Sequence, residues 1–173
     1  MPTISKIQTA ALPTGSVLQV QSTNKLDQYD TSDFDANFEN VPGLTVNITP
    51  QSTSSKIYVL ATLQISTYAR HITLRLARGG NVIATPSAAG LRMLGMAHLY
   101  GSSSFNDHYN IESKVMQVLD TTHNSTSQLT YSVQGQNING ANSTNSKINS
   151  TAEDANGNYN SRVISTITAM EIA

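Results

Sequence analysis

Cysteine and tryptophan are absent from this sequence, and charged residues are scarce. Without cysteine, the chain has neither a disulfide framework nor a thiolate metal site. Charged residues make up 12% of the chain and the formal net charge is -1, whereas nucleic-acid binding requires clustered Lys and Arg to contact phosphates. A membrane-surface protein of the polybasic kind needs similar clusters. We therefore expect neither a nucleic-acid partner nor a membrane partner.

Long apolar runs are also missing. No apolar run approaches the roughly 20 residues that a helix needs to cross a bilayer. The first residues, MPTISKIQTAALPTG, contain no continuous apolar region, so they are not typical of a secretory signal. The 173 residues are enough for one domain with a core and too few for two. The sequence predicts a single domain over residues 14–173, preceded by a short segment over residues 1–13.

Hydroxyl and amide side chains take the place of charges, since Ser, Thr and Asn make up roughly a third of the chain. Between them, apolar residues recur at every second position. In GLTVNITPQSTSSKIYVLATLQI (residues 43–65), Leu44, Val46 and Ile48 point one way and the polar residues point the other. The pattern resumes at Ile57 after a turn of Pro, Ser and Thr. Because successive side chains of a strand point to opposite faces, the stretch predicts two strands, each with one buried side.

Similar alternation occurs in residues 16–23, 70–78 and 128–137 and in the closing SRVISTITAMEIA, and GGN at 79–81 predicts a hairpin turn. The sequence thus predicts an all-β fold: an antiparallel β-sandwich of eight to ten strands, with the jelly roll as the favoured topology and little helix. We expect these residues in its core: Leu44, Val46, Ile48, Ile57, Val59, Leu63, Leu74, Leu76, Leu129, Val133 and Ile167.

Three segments are harder to assign. LRMLGMAHLY (91–100) suits a helix nearly as well as a strand, and we assign it to a strand because Gly90, Gly95 and Gly101 disfavour a helix. NIESKVMQVLDT (110–121) is also assigned to a strand. Residues 137–160 are rich in Asn, Ser and Gly and are expected to form one long loop.

Signatures of catalysis are missing from the sequence. GxSxG, Walker A and HExxH motifs do not occur. His71, His98, His108 and His123 lie far apart along the chain without ligand spacing, so we interpret them as ordinary turn or strand residues. The sequence therefore predicts no catalytic residue, no metal ligand and no cofactor.

An acidic segment over residues 27–35 is the one candidate for a cation site. Asp27, Asp30, Asp33 and Asp35 could supply oxygen ligands to Ca²⁺. The spacing is not that of an EF-hand, because the glycine and the terminal bidentate Glu are missing. A solvated acidic surface is the favoured interpretation.

The N-terminal segment, residues 1–13, has isolated apolar residues between Pro2 and Pro13. Such a segment cannot bury Ile4, Ile7 and Leu12 by itself, and prolines disfavour a continuous helix. We expect an extended arm whose Ile4, Ile7 and Leu12 contact another protein or subunit.

Several stretches resemble a family of tailed-bacteriophage virion proteins, which includes capsid decoration, head-fibre and tail-fibre-like proteins. These stretches are PTGSVLQV, VPGLTVNITPQSTSSKIYVLATL, ITLRLARGGNVIA, YSVQGQN and NYNSRVISTITAMEIA. GLTVNITPQSTSSKI and STITAMEI are the most specific of them, and residues 86–125 depart most from the family. The resemblance implies a jelly-roll-like domain on the virion surface, commonly a trimer, with no catalytic residues.

Three functions follow as expectations. The first is a capsid decoration or cement protein on the outer surface of the virion, whose partners are the major capsid protein and two copies of itself in a homotrimer. The alternative is the receptor-binding tip of a tail fibre or head fibre that contacts a host glycan. A carbohydrate-active enzyme on a β-sandwich is disfavoured because no acid/base pair is evident.

Overall fold

A computed structural model describes residues 12–31, 34, 36–68, 71–101, 108–137 and 146–173. This part of the chain contains no α-helix and folds into two antiparallel sheets that pack face to face, which confirms the predicted all-β sandwich. The described residues form eleven strands, three of which have only two or three residues. The strands are β1 (Val17–Lys25), β2 (Tyr29–Asp30), β3 (Glu39–Ile48), β4 (Lys56–Thr67), β5 (His71–Arg78), β6 (Asn81–Val82), β7 (Ala97–Tyr100), β8 (Glu112–Asp120), β9 (Leu129–Asn137), β10 (Ser146–Ile148) and β11 (Ser165–Ile172).

The larger sheet has β4 at its centre. β11 and then β1 follow on one side of β4, while β8 pairs with its other side. The short strand β10 pairs with the last residues of β4, on the same side of β4 as β11, and β2 pairs with the other side of β10. Among the described residues, β1 and β8 each pair with one strand only and form the long edges of this sheet, and the two-residue β2 is a further edge beside β10.

The smaller sheet has the order β3-β9-β5, and both β6 and β7 pair with the far side of β5. Gly79 and Gly80 adopt positive φ in the turn from β5 to β6, as the GGN hairpin predicts. Gly43, with φ of 74°, lies where the register of β3 against β9 shifts between Asn40 and Thr45. The shift indicates a bulge, which a residue with positive φ accommodates.

The eight strands of four or more residues form nested pairs. The first pairs with the last (β1 with β11), the second with the seventh (β3 with β9), the third with the sixth (β4 with β8) and the fourth with the fifth (β5 with β7). This is the pattern of one long antiparallel hairpin whose pairs alternate between the two sheets.

The core lies between the sheets and consists of the apolar residues at every second strand position. Ten of the eleven residues expected in the core are buried. The exception is Leu129, the first residue of β9, which is half-buried and packs against the rim of the core.

The structure corrects two of the segment assignments. Residues 91–96 are not a strand, and only Ala97–Tyr100 of the predicted 91–100 segment pairs with β5. Residues 137–160 are not one loop, because β10 lies within them and Ser150 forms an isolated bridge with Arg162. Residues 138–145 lie outside the described residues. The predicted strand over 110–121 is confirmed as β8.

Candidate interaction surface and groove

Only one of the three expected arm residues lies within the described residues. Ile4 and Ile7 lie outside them, whereas Leu12 is half-buried just before β1. The chain is then fixed to the end of the last strand, because Gly15 N donates to Ala173 O at 2.9 Å and Ala173 N donates to Ser16 O at 2.9 Å. Residues 12–16 therefore lie at the β1 edge of the larger sheet, next to the end of β11.

The outer face of the larger sheet carries exposed apolar side chains, and we call it the apolar face. The register aligns Val20 with Met170, Met170 with Tyr58, and Tyr58 with Leu119, so one apolar row crosses the whole sheet. Four side chains of this face are at least 44% exposed, although they are large and apolar. The apolar face consists of Val17, Val20, Tyr58, Leu60, Val115, Leu119, Met170 and Ile172.

Several polar side chains on the same face bond to one another. Ser22 Oγ lies 2.9 Å from Thr168 Oγ1, and Ser113 Oγ donates to Gln64 Oε1 at 2.6 Å. Strands β1, β4, β8 and β11, all fully described, place one charged residue on this face, Lys56 at its end. Because these polar groups already have partners, covering the face requires little further desolvation of unpaired groups.

A groove of about 770 Å³ lies on the outer side of the smaller sheet. The segment 91–96 crosses over β5 there, and Met96 N donates to Leu74 O at 2.8 Å. A Cβ at Gly95 would lie 2.2 Å from Thr73 Cγ2, so only glycine allows this close approach. The residues lining the groove are His71, Thr73, Leu91, Arg92, Met93, Gly95, Met96, Ala97 and His98.

Three rings line up beside the groove. The His71 and Tyr100 rings stack with their centroids 4.5 Å apart, and the His71 and His98 centroids are 5.7 Å apart. The pairing of β5 with β7 sets this arrangement, because it places His71 opposite Tyr100 and Thr73 opposite His98. His71 and His98 are strand residues, as the sequence interpretation has it, and the pairing brings together two histidines that lie far apart along the chain. We call them the imidazole pair.

Thr73 holds the ring of His98 in place. Thr73 Oγ1 lies 3.0 Å from His98 Nδ1 and 3.7 Å from Met93 Sδ. In the tautomer whose Nδ1 donates to Thr73, Nε2 of the neutral ring keeps its lone pair. Burial, followed by the charges of His71 and Lys114, lowers the pKa of His98 and so favours the neutral ring.

The other two histidines occupy different surroundings. His108 stacks on Tyr68 with the ring centroids 4.0 Å apart. His123 is buried, and its Nε2 lies 2.7 Å from Ser55 O. A carbonyl only accepts, so this nitrogen donates, and His123 joins the loop after β8 to the loop before β4.

The acidic segment is only partly described. Asp27 Oδ2 lies 2.9 Å from Lys25 Nζ, and Asp30 Oδ2 lies 2.8 Å from Lys147 Nζ. Asp33 and Asp35 lie outside the described residues. Within the described part, no three His, Cys, Asp or Glu residues are grouped to hold a metal ion.

The described residues contain no helix that is long and apolar enough to span a membrane. A comparison of the sequence with protein-family models and with curated proteins finds no match.

Proposed function

We propose that this chain is a non-enzymatic virion protein that decorates the outer surface of a phage capsid as a homotrimer and stabilises the shell. Two features support the proposal together with the sequence resemblance. We assign the nested strand pairing to a jelly roll, an architecture that viral capsid and lectin domains share. The second feature, the apolar face, is the single observation that carries the proposal.

The apolar face can form part of a protein interface. Four strands about 4.8 Å apart and about eight residues long, at about 3.3 Å per residue, span roughly 500 Å², including the polar side chains of the face. A standard stable interface buries about 800 Å² per partner, so a contact through this face needs further area from the sheet edges. Large apolar side chains exposed together on one face are typical of interaction sites.

A second copy of the same chain is the occupant that fits this face. With Lys56 as its only charge, the face opposes an identical copy without strong like-charge repulsion. Its apolar residues divide into a half next to β1, including Val20 and Met170, and a half next to β8, including Val115 and Leu119. Contact between the β1 half of one copy and the β8 half of the next can close a ring of three and cover the β1 and β8 edges.

The N-terminal arm is the proposed contact with the major capsid protein. Residues 12–16 lie at the β1 edge, and Ile4, Ile7 and Leu12 provide spaced apolar side chains for an extended contact. Three arms in one trimer would add avidity to a weak individual contact.

One observation favours the alternative function, a receptor-binding tip. The stacked rings of His71 and Tyr100 beside the groove provide flat aromatic faces of the kind on which a sugar ring packs, and Arg92 lies nearby as a donor. Under this alternative the groove binds a host glycan and the protein sits on a tail or head fibre.

Imaging of the intact virion by electron cryo-microscopy tests the proposal. Trimeric density on the capsid shell that fits the sandwich, and that is lost when the gene is deleted, is the expected result. Density at the tip of a fibre would support the alternative. Particles that lack this protein altogether would overturn both.

A further inference from the structure

The imidazole pair has the properties of a metal site, independently of where the protein acts. The two rings come from neighbouring strands, β5 and β7, and line one groove with two thioether side chains, Met93 and Met96. The described residues of the groove lining include no Asp or Glu. A nitrogen- and sulfur-rich lining of this kind suits late transition metals and does not suit Ca²⁺ or Mg²⁺, which require oxygen ligands.

Thr73 is placed to orient His98 for metal binding. Its Oγ1 lies 3.0 Å from His98 Nδ1, so a metal ion bound at Nε2 would leave Nδ1–H to donate to Thr73. Metal-binding histidines usually donate their other ring nitrogen to such a partner, which fixes the tautomer and the ring orientation. Thr73 is buried and is held in turn by its bond to Met93 Sδ.

The distance between the rings also fits a shared ion. A metal about 2.0–2.1 Å from each nitrogen, with each ring centre about 1.1 Å further away, places two ring centroids roughly 5–6 Å apart for bond angles of about 110–130°. The centroids of His71 and His98 are 5.7 Å apart.

Two cations oppose the binding of a metal here, and both already have partners. Lys114 Nζ pairs with Glu112 Oε2 at 2.6 Å, and Arg92 Nη1 donates to Ala89 O at 3.1 Å. We propose that His71 and His98 bind a late first-row divalent transition-metal ion, Cu²⁺ more tightly than Zn²⁺, with water in the remaining coordination positions.

Isothermal titration of the full chain, expressed without a histidine tag, with CuCl₂ and with ZnCl₂ tests this site. We expect one ion per chain and at least a roughly tenfold loss of affinity in both His71→Gln and His98→Gln, because each removes one ligand. His108→Gln is the matched control, since it removes an imidazole outside the groove, and it should leave the affinity unchanged. Absence of binding at millimolar metal, or loss in only one of the two groove variants, would overturn the proposal.

A second measurement does not depend on how the variants fold. The electron paramagnetic resonance spectrum of the wild-type protein with one equivalent of Cu²⁺ should show coupling to two imidazole nitrogens. A spectrum with coupling to a single nitrogen would contradict a shared ion.

The role of Thr73 is tested by titration of two variants. Thr73→Val should weaken metal binding by about 10–100-fold, and Thr73→Ser, which keeps the hydroxyl, should restore it.

Discussion

Tyr131 and Asp120 join the two sheets of the sandwich. The Tyr131 hydroxyl, on β9 of the smaller sheet, donates to Asp120 Oδ2, at the end of β8 of the larger sheet, at 2.7 Å. Arg78 of β5 donates to the same carboxylate oxygen, and Thr122 donates to Oδ1 from both its backbone nitrogen and its hydroxyl at 3.0 Å. One carboxylate thus connects strands of both sheets near the end of the core.

Replacing Tyr131 by Phe should destabilise the fold by about 1–3 kcal/mol, because a buried carboxylate loses one of its donors while the ring is kept. Urea denaturation measures the free energy of unfolding. Tyr58→Phe is the matched control, since it removes a hydroxyl bonded to Gln117 on the exposed apolar face and should cost less than about 0.5 kcal/mol. Equal losses in the two variants would show that the link between the sheets adds nothing to stability.

Asp120 should also make stability depend on pH in the acid range. Burial raises its pKa, but hydrogen bonds from the Thr122 backbone, Tyr131, Arg78 and the Thr122 hydroxyl outweigh burial, so the pKa lies below its usual value of 3.8. A carboxyl whose pKa is lowered on folding stabilises the fold above its unfolded pKa, and this contribution is lost as the pH falls through the folded pKa.

Denaturation midpoints measured from pH 7 down to pH 2 should therefore fall below about pH 4 in the wild type. In Asp120→Asn this part of the decline should be smaller, although the variant is less stable at pH 7. If the denaturation midpoint falls with pH as steeply in Asp120→Asn as in the wild type, other carboxyl groups cause the acid sensitivity.

Gly135 is fixed by its contact with Phe34. A Cβ at position 135 would lie 2.2 Å from Phe34 Cε2, and that ring is completely buried. Gly135→Ala should therefore cost about 1–3 kcal/mol through overpacking. Gly157→Ala is the control, because the nearest atom to its Cβ is 3.6 Å away and its φ is not positive. Thermal denaturation that shifts both variants equally would contradict this explanation.

Strand alternation predicted the sheets well because it is a local property. The polar and apolar residues of β3 and β4 alternate with period two, and each strand buries one side. Strand β8 was ambiguous for a physical reason: Met116 and Val118 face the core while Val115 and Leu119 form part of the apolar face. A strand that is apolar on both sides has no clear period, and the sequence does not separate its buried side from its exposed side.

The groove could not be predicted because it depends on pairing between distant residues. His71 and His98 are adjacent only because β7 pairs with β5 in one register. Gly95 was the only local signal, since a glycine within an apolar segment can indicate a close backbone approach. It was interpreted instead as a helix breaker within a strand.

Asn149 shows why the Asn-rich region was assigned to one loop. It is completely buried, with φ of 63°, and its side chain donates to Lys25 O and accepts from Ser165 Oγ. Asn is common in loops because it tolerates this conformation and bonds to the backbone. The same properties allow it to join β1 to β11 inside the fold, and composition alone does not distinguish the two roles.

Charged substitutions on the apolar face should prevent self-association. Val20→Glu and Leu119→Glu place a carboxylate on opposite halves of the face, where contact would leave it buried without a partner. Sedimentation velocity should show a trimer for the wild type at micromolar concentration and a monomer for each variant, with unchanged circular dichroism. Val82→Glu, at an exposed valine of the smaller sheet, is the matched control and should remain trimeric. A wild-type monomer would contradict self-association. Trimers in both face variants would mean that the copies contact each other through another surface.

Deleting residues 2–12 should separate attachment from folding. Each aliphatic side chain of the arm that becomes buried on a partner contributes about 1.5–3 kcal/mol, reduced by the cost of ordering the arm. The truncated protein should therefore remain a folded, soluble trimer but should no longer bind capsids that lack it, as measured by co-sedimentation. Replacing Ile4 and Ile7 by Ser keeps the length of the arm and should weaken binding in the same direction, because the apolar side chains supply the contact. Wild-type occupancy of capsids by the truncated protein would mean that the sandwich itself carries the attachment site.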